Sequence, residues 1–556
     1  MNYLVLIIFI LSIKGCTHLD ETALYIDNLE NENNISYKHV NNYGSYIPPM
    51  CYTKLKEKHK VYNACYSCHT RGKHPNFIND TILQKEYSFP KKMMKNPYLN
   101  LFKDKSKKAL LLSDDAILTY VNKSNYFDDN RLIILRKNLP KKWFGYKPDC
   151  YFNFDSNGFD RDTENKYTLW RAFRYYPFLG TFWPTNGSTD DVMIRLDKNF
   201  SLDKNKKFNI NIYTINLAIV EANIKQKDIP INLVDETNYG VDLDGDGKIA
   251  QARKIFYSSS FKISYVGYAK ELLAKKKIHL VSGLFPLNTE FLHSVRYLIL
   301  KNNHVTSAKR MKELRYTKKT YWKNYAQLKQ LADEELREST MNQSKYPPLK
   351  VYRGDFKKGF DNNLGWIYQG FIEDRQGVLR PQTNEETLSC MGCHSAIGAT
   401  TDTIFSFARK FEGVNERNNN FGWNHWSQKD LKGVKDRKLS YKIDGVKTKN
   451  ILEYTFYLKQ SMGNEFRDNQ EINKKFFNKD NIPIDSEINK IKDDVSYLLM
   501  PSKQRALELD KAYKTIVEEQ SFINGRDSNM KPIKTAYKDV NSSSTGVKRI
   551  ITQSLQ

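Results

Sequence analysis

From Leu4 to Ile13 the chain is almost wholly apolar. Ten such residues are too few to span a bilayer and suit the core of an export signal. Residues 17–45 then turn polar, rich in Asn, Glu and Asp, and read as a tether. Pro75, Pro90 and Pro97 break the next stretch into short helices and loops. Phe208, Ile210 and Ile212 alternate with Asn209, Asn211 and Tyr213, which predicts a strand, and Phe261, Ile263 and Tyr265 repeat the pattern. Between them, Ile215 to Ile224 has a helical period. Thr289 predicts the cap of a helix running through Phe291, Val295 and Leu298, with His293 on it beside Arg296 and Tyr297. Residues 306–338 are charged and read as one long surface helix. Thr383 and Glu386 form a capping-box pattern that places a short helix just before Cys390. Residues 484–523 read as two helices and residues 525–556 as a loosely ordered polar tail.

The predicted fold class is α+β, with mainly helical regions flanking a mixed α/β insert. The divisions are 1–16 (signal), 17–45 (tether), 46–150 (first helical region), 151–285 (insert), 286–440 (second helical region) and 441–556 (helical C-terminal region with its tail). A chain of 556 residues is long for one core.

Lys and Arg outnumber Asp and Glu by 88 to 63, a formal charge of +25. The excess is spread along the chain together with abundant Asn and Ile, as a biased composition produces. It gives no reason to expect nucleic acid as a partner.

Two strings change the picture: Cys65-Tyr-Ser-Cys68-His69 and Cys390-Met-Gly-Cys393-His394. Both read Cys-x-x-Cys-His, the attachment signature for c-type haem. Two thiols three positions apart share one face of a helical turn, and the following histidine sits beneath a bound iron. Zinc half-sites and redox dithiols are the alternatives for such pairs. The strings resemble those of the c-type cytochromes. The resemblance implies two haem c groups, with Cys65, Cys68, Cys390 and Cys393 as thioether sites and His69 and His394 as proximal iron ligands. The candidate distal ligands are His293 and His425, the latter set between Trp423 and Trp426.

Ile13-Lys14-Gly15-Cys16 resembles a bacterial lipobox, which implies acylation of Cys16 and a membrane anchor. The expected location is the periplasm or the outer membrane. Cys51 and Cys150 remain, and in an oxidising compartment they are candidates for a disulfide, or two buried thiols. Asp242, Asp244 and Asp246, with the Lys248 carbonyl, resemble the first half of an EF-hand loop. Arg253 stands where the loop's last carboxylate belongs, so the choice is calcium or an acidic Asp-Gly turn.

The functional expectation is a di-haem c-type cytochrome that transfers electrons to redox partners in the bacterial envelope. The alternative is a di-haem enzyme of the cytochrome c peroxidase class with one open-coordinate haem. A third reading is a sensing protein that uses haem to bind small ligands. No catalytic residues are assigned.

Overall fold

The computed structural model describes residues 21–553, apart from 34, 58, 141, 181–183, 261–262, 303, 342–345, 413–419 and 464–466. The signal segment and Cys16 lie outside the described residues.

The centre is an antiparallel sheet of ten strands: Phe159–Arg161 (β1), Tyr167–Ala172 (β2), Thr189–Asp190 (β3), Met193–Arg195 (β4), Glu290–Lys301 (β5), His304–Lys319 (β6), Arg353–Asp355 (β7), Gly359–Asp361 (β8), Trp366–Glu373 (β9) and Leu379–Pro381 (β10). The order is β7-β8-β9-β6-β5-β4-β2-β1, with β10 added to β9 and β3 to β5. This corrects the expected fold class. The protein is mixed α/β around a dominant sheet, and the helices do not form haem-binding regions on either side of an insert.

The two longest strands, β5 and β6, are the segments that read as helical. The spacing of Phe291, Val295 and Leu298 fits a helix face equally well. The strand is covered on both faces, so its apolar residues need no strict alternation. The charged helix expected over 306–338 is present only in its second part, Tyr325–Met341, and its first part is strand β6. The charges of that strand are paired, Arg310 with Glu373, Arg315 with Glu313, and Lys319 with Asp402, and all but the partly exposed Arg315 are buried.

The reverse error occurs at Asn209. Its side chain caps the amides of Asn211 and Ile212 and starts the helix Ile210–Lys225, which contains the expected helical stretch Ile215–Ile224 and replaces the strand expected just before it. In the second predicted strand, Ile263 and Tyr265 belong to no strand, and Phe261 is outside the described residues. The tail is corrected too. Ile533, Ala536, Val540 and Ile551 are buried, and Ile551–Gln553 pairs with Lys438–Ile443.

The helices that matter below are Glu21–Asn33 (α1), Ser106–Leu110 (α2), Asp114–Asn122 (α3), Asn384–Leu388 (α4) and Lys503–Glu519 (α5). One core cluster runs from Tyr46 to Ile551. A second lies where Leu292, Leu314 and Phe371 meet Ile26 of α1 and Trp143. A third packs α3 and α5 against Tyr297 and Ile372.

Candidate functional site

Each Cys-x-x-Cys-His string forms a tight turn. In the first, the amides of Cys68 and His69 both donate to the Cys65 carbonyl, at 3.1 and 2.8 Å. The His69 ring is fixed by Asp80, with Nδ1 and Oδ2 3.0 Å apart. In the second, the predicted capping box is present: Glu386 donates its amide to Thr383 Oγ1 and accepts the Thr383 amide. The His394 amide then donates to Cys390 O at 3.0 Å, and the ring Nδ1 lies 2.8 Å from Thr403 O.

The two turns, far apart in sequence, touch. Ala399 donates its amide to Cys68 O, and the Asn76 side chain donates to Ile397 O. The approach is close enough to require glycine. A Cβ on Gly398 would lie 1.7 Å from Thr70 O, and one on Gly392 would lie 1.7 Å from Tyr46 O.

Between the turns and the sheet is a cavity of about 260 Å³. Its floor follows from the strand period of two. In the β5–β6 register Phe291 faces Thr317, His293 faces Arg315 and Val295 faces Glu313. All six line the cavity, together with Cys68, Cys390, Cys393 and His394. The walls are mostly apolar, from Met50, Tyr368, Ile404 and Phe405. One pole is charged. Glu313 Oε2 accepts from Arg315 Nε at 2.9 Å, Arg526 Nη1 at 2.7 Å and Gln382 Nε2 at 3.0 Å. The two guanidinium groups hold the Glu313 carboxyl down at about 2 despite its burial. Beside them, burial raises Asp190 to about 7 and lowers Lys312 to about 8. The Tyr513 hydroxyl, also on the lining, is buried without a hydrogen-bond partner.

Burial pushes the Cys65 thiol up to about 12 and Cys393 up to about 11, and it raises Cys68 and Cys390 as well. Burial thus favours the protonated thiol over the nucleophilic thiolate at all four positions. Burial also lowers His293 and His394 to about 4, which keeps both imidazoles neutral.

His293 reaches the cavity from a strand, not from the predicted helix, and its Nδ1 lies 3.0 Å from Asp191 O. His425 is elsewhere. Its Nε2 lies 2.8 Å from Asp191 Oδ2, its Nδ1 lies 2.7 Å from Ser427 Oγ, and its ring stacks on Phe154. Both nitrogens are engaged, which makes His425 a structural residue. Cys51 and Cys150 are free thiols, Cys51 packed against the first core cluster and Cys150 within the second. Sequence reasoning missed Glu313, Arg315 and Arg526. The available signal was the alternation Glu313-x-Arg315-x-Thr317.

The predicted acidic loop closes on itself. Asp242 accepts the amides of Gly245 and Gly247, and Asp246 accepts that of Lys248. A residue the sequence did not single out joins it: Glu236, whose carboxylate accepts the amides of Leu243 and Ala250.

The family described as ":-like lipoprotein" matches residues 35–498. An "Uncharacterized lipoprotein" of Aquifex aeolicus (strain VF5) is 32% identical over 535 residues, covering 86% of this chain and 85% of that protein. The chain belongs to this lipoprotein family. No solved structure matches it.

Family membership corrects the cytochrome reading. The lipoprotein is similar to proteins named for their anchoring, and neither description names haem, iron or electron transfer. Among the described residues, the side chains that bring three metal-ligating atoms within 4.8 Å of one another are Glu236, Asp242 and Asp244. His69 and His394 are not in that group. The di-haem carrier, the peroxidase-type enzyme and the two haem c groups are therefore not assigned to the lipoprotein. Calcium is not assigned either, because the loop carboxylates are taken up by backbone amides in an Asp-Gly turn. The predicted location holds: the lipoprotein is exported and belongs to the periplasm or the outer membrane. Among the described residues no helix is long and apolar enough to cross a membrane.

Proposed function

We propose that this lipoprotein is a small-molecule-binding protein of the cell envelope, anchored through Cys16. Its ligand is an amphipathic molecule with an apolar body and an acidic head. The observation that carries this reading is the cavity, where apolar walls end in a pole at which Arg315 and Arg526 share the Glu313 carboxylate, with Asp190, Glu385, Glu386 and Asp527 also on the lining. An apolar body gains by burial at about 25 cal/mol per Å². An acidic group at the pole meets Arg526 and Arg315, which offer fixed, charge-assisted donors. Cys68, Cys390, Cys393, His293 and His394 are the contact residues around the ligand's middle. The neutral imidazoles and protonated thiols suit an apolar surface.

The test uses 8-anilinonaphthalene-1-sulfonate, an anionic aromatic probe. The folded protein should bind it saturably, and Arg526→Gln should weaken binding by about tenfold, the loss of roughly one charged hydrogen bond. Equal binding by wild type and variant, or no saturable binding, contradicts the reading.

A further inference from the structure

Leu110 and Leu111 are the two most exposed large hydrophobic residues among those described, at 77% and 86%. They stand at the end of α2, on a firm base. Ala109 is fully buried, and Lys105 is buried with its ammonium donating to Asn100 O and Asn529 O. Lys103 and Lys108 flank the pair and share Glu519 at the end of α5. Lys107 adds a further exposed cation. An exposed apolar tip with Lys103, Lys107 and Lys108 beside it, and Asp104, Asp114 and Asp115 on the same stretch, is an amphipathic surface of the kind that meets a membrane interface.

The length of chain before α1 limits how far the anchor lies from the body. Cys16 is five residues before Glu21, where α1 begins, so the anchor lies within about 17 Å of that point even if fully extended. Helix α1 lies across the turn that joins β9 to β10. Burial, and after it the Asp374 carboxylate of that turn, raises the pKa of Tyr25, and Arg375 donates its amide to the Asn33 side chain. The Arg375 guanidinium donates in turn to Glu518 O, next to the Glu519 that holds Lys103 and Lys108. A chain of contacts therefore links the Asn33 end of α1 to the lysines beside the leucine tip.

We propose that Leu110 and Leu111 insert into the lipid surface that holds the anchor, with Lys103, Lys107 and Lys108 against anionic headgroups. The contact rests on the reading of Cys16 as the anchored residue. It fixes the orientation of the body, which a flexible tether alone leaves free.

The test is sedimentation of the unacylated full chain, Cys16→Ser, with vesicles of phosphatidylethanolamine and phosphatidylglycerol. It should bind, more weakly at high salt. Adding Leu110→Gln and Leu111→Gln should reduce partition by about tenfold or more. Adding Val446→Gln, which removes another residue exposed at 67%, should leave it unchanged. No vesicle binding, undiminished binding by the leucine double variant, or an equal loss with Val446→Gln overturns the proposal. The anchor is tested apart from this, by the acyl mass on Cys16 in the wild-type protein.

Discussion

The main-chain carbonyl of Cys68 accepts a hydrogen bond from the amide of Ala399, with 3.2 Å between the heavy atoms. This bond fastens the two Cys-x-x-Cys-His turns to each other and sets the roof of the cavity over the β5–β6 floor. Alanine at Gly398 would push a methyl group into the Thr70 carbonyl, a backbone atom that has no side-chain freedom with which to yield. Gly398→Ala should lower the unfolding free energy by about 1–3 kcal/mol, read from the urea midpoint. An unchanged midpoint would show that the roof is loose.

Acid should weaken the fold at two particular carboxylates. Asp191 is held at about 2 by His425, Arg296 and Ser294, and Glu313 is held at about 2 by Arg315 and Arg526. Both folded values are depressed below the ordinary ones of 3.8 and 4.5. Their stabilisation is complete above the ordinary range and is lost as pH falls towards 2. At about 1.4 kcal/mol per unit, Asp191 is worth roughly 2–3 kcal/mol and Glu313 roughly 3–4 kcal/mol. Urea unfolding followed from pH 6 to pH 3 should show Asp191→Asn with a shallower loss than wild type. Identical pH profiles would contradict the assignment.

A buried triad offers a sharper test of charge. Glu221 receives both Lys225 and Lys410 at 2.9 Å, and all three side chains are at most 3% exposed. Glu221→Gln leaves two ammonium groups without their carboxylate. It should cost about 3–5 kcal/mol, with thermal unfolding as the readout. A loss below about 1 kcal/mol would mean that the amines shed their protons instead, and Lys410 is already lowered to about 7 by burial.

Cys51 and Cys150 are separate thiols in different packing clusters. Alkylation of the unfolded protein without reductant should modify both. A peptide joined through these two residues would contradict the structure.

What the sequence disclosed was local. The Thr383–Glu386 cap, the helical period through Ile215–Ile224 and the tight turns at Cys65 and Cys390 depend on neighbours along the chain, and these were legible. The sheet was not, because strand β6 holds Arg310, Lys312, Glu313, Arg315 and Lys319 inside the protein. Their partners, Glu373, Asp402 and Arg526 among them, come from distant segments. A charge run reads as a solvated face until those partners are known. Asn209 misled in the opposite sense, since an alternation of Asn and Ile was overridden by the capping bonds of one side chain. Of the cysteine strings, Cys68, Cys390, Cys393 and His394 line the cavity, whereas Cys65 and His69 do not. The residues that distinguish this cavity, Arg315 and Arg526, lie outside both strings.

An amphipathic acid in the cavity should travel with the full-length lipoprotein when it is extracted from its own membranes and weighed by native mass spectrometry. Wild type should carry a discrete mass beyond polypeptide and acyl chains, and Arg526→Gln should carry less of it. Polypeptide and acyl mass alone, in both proteins, would contradict the account.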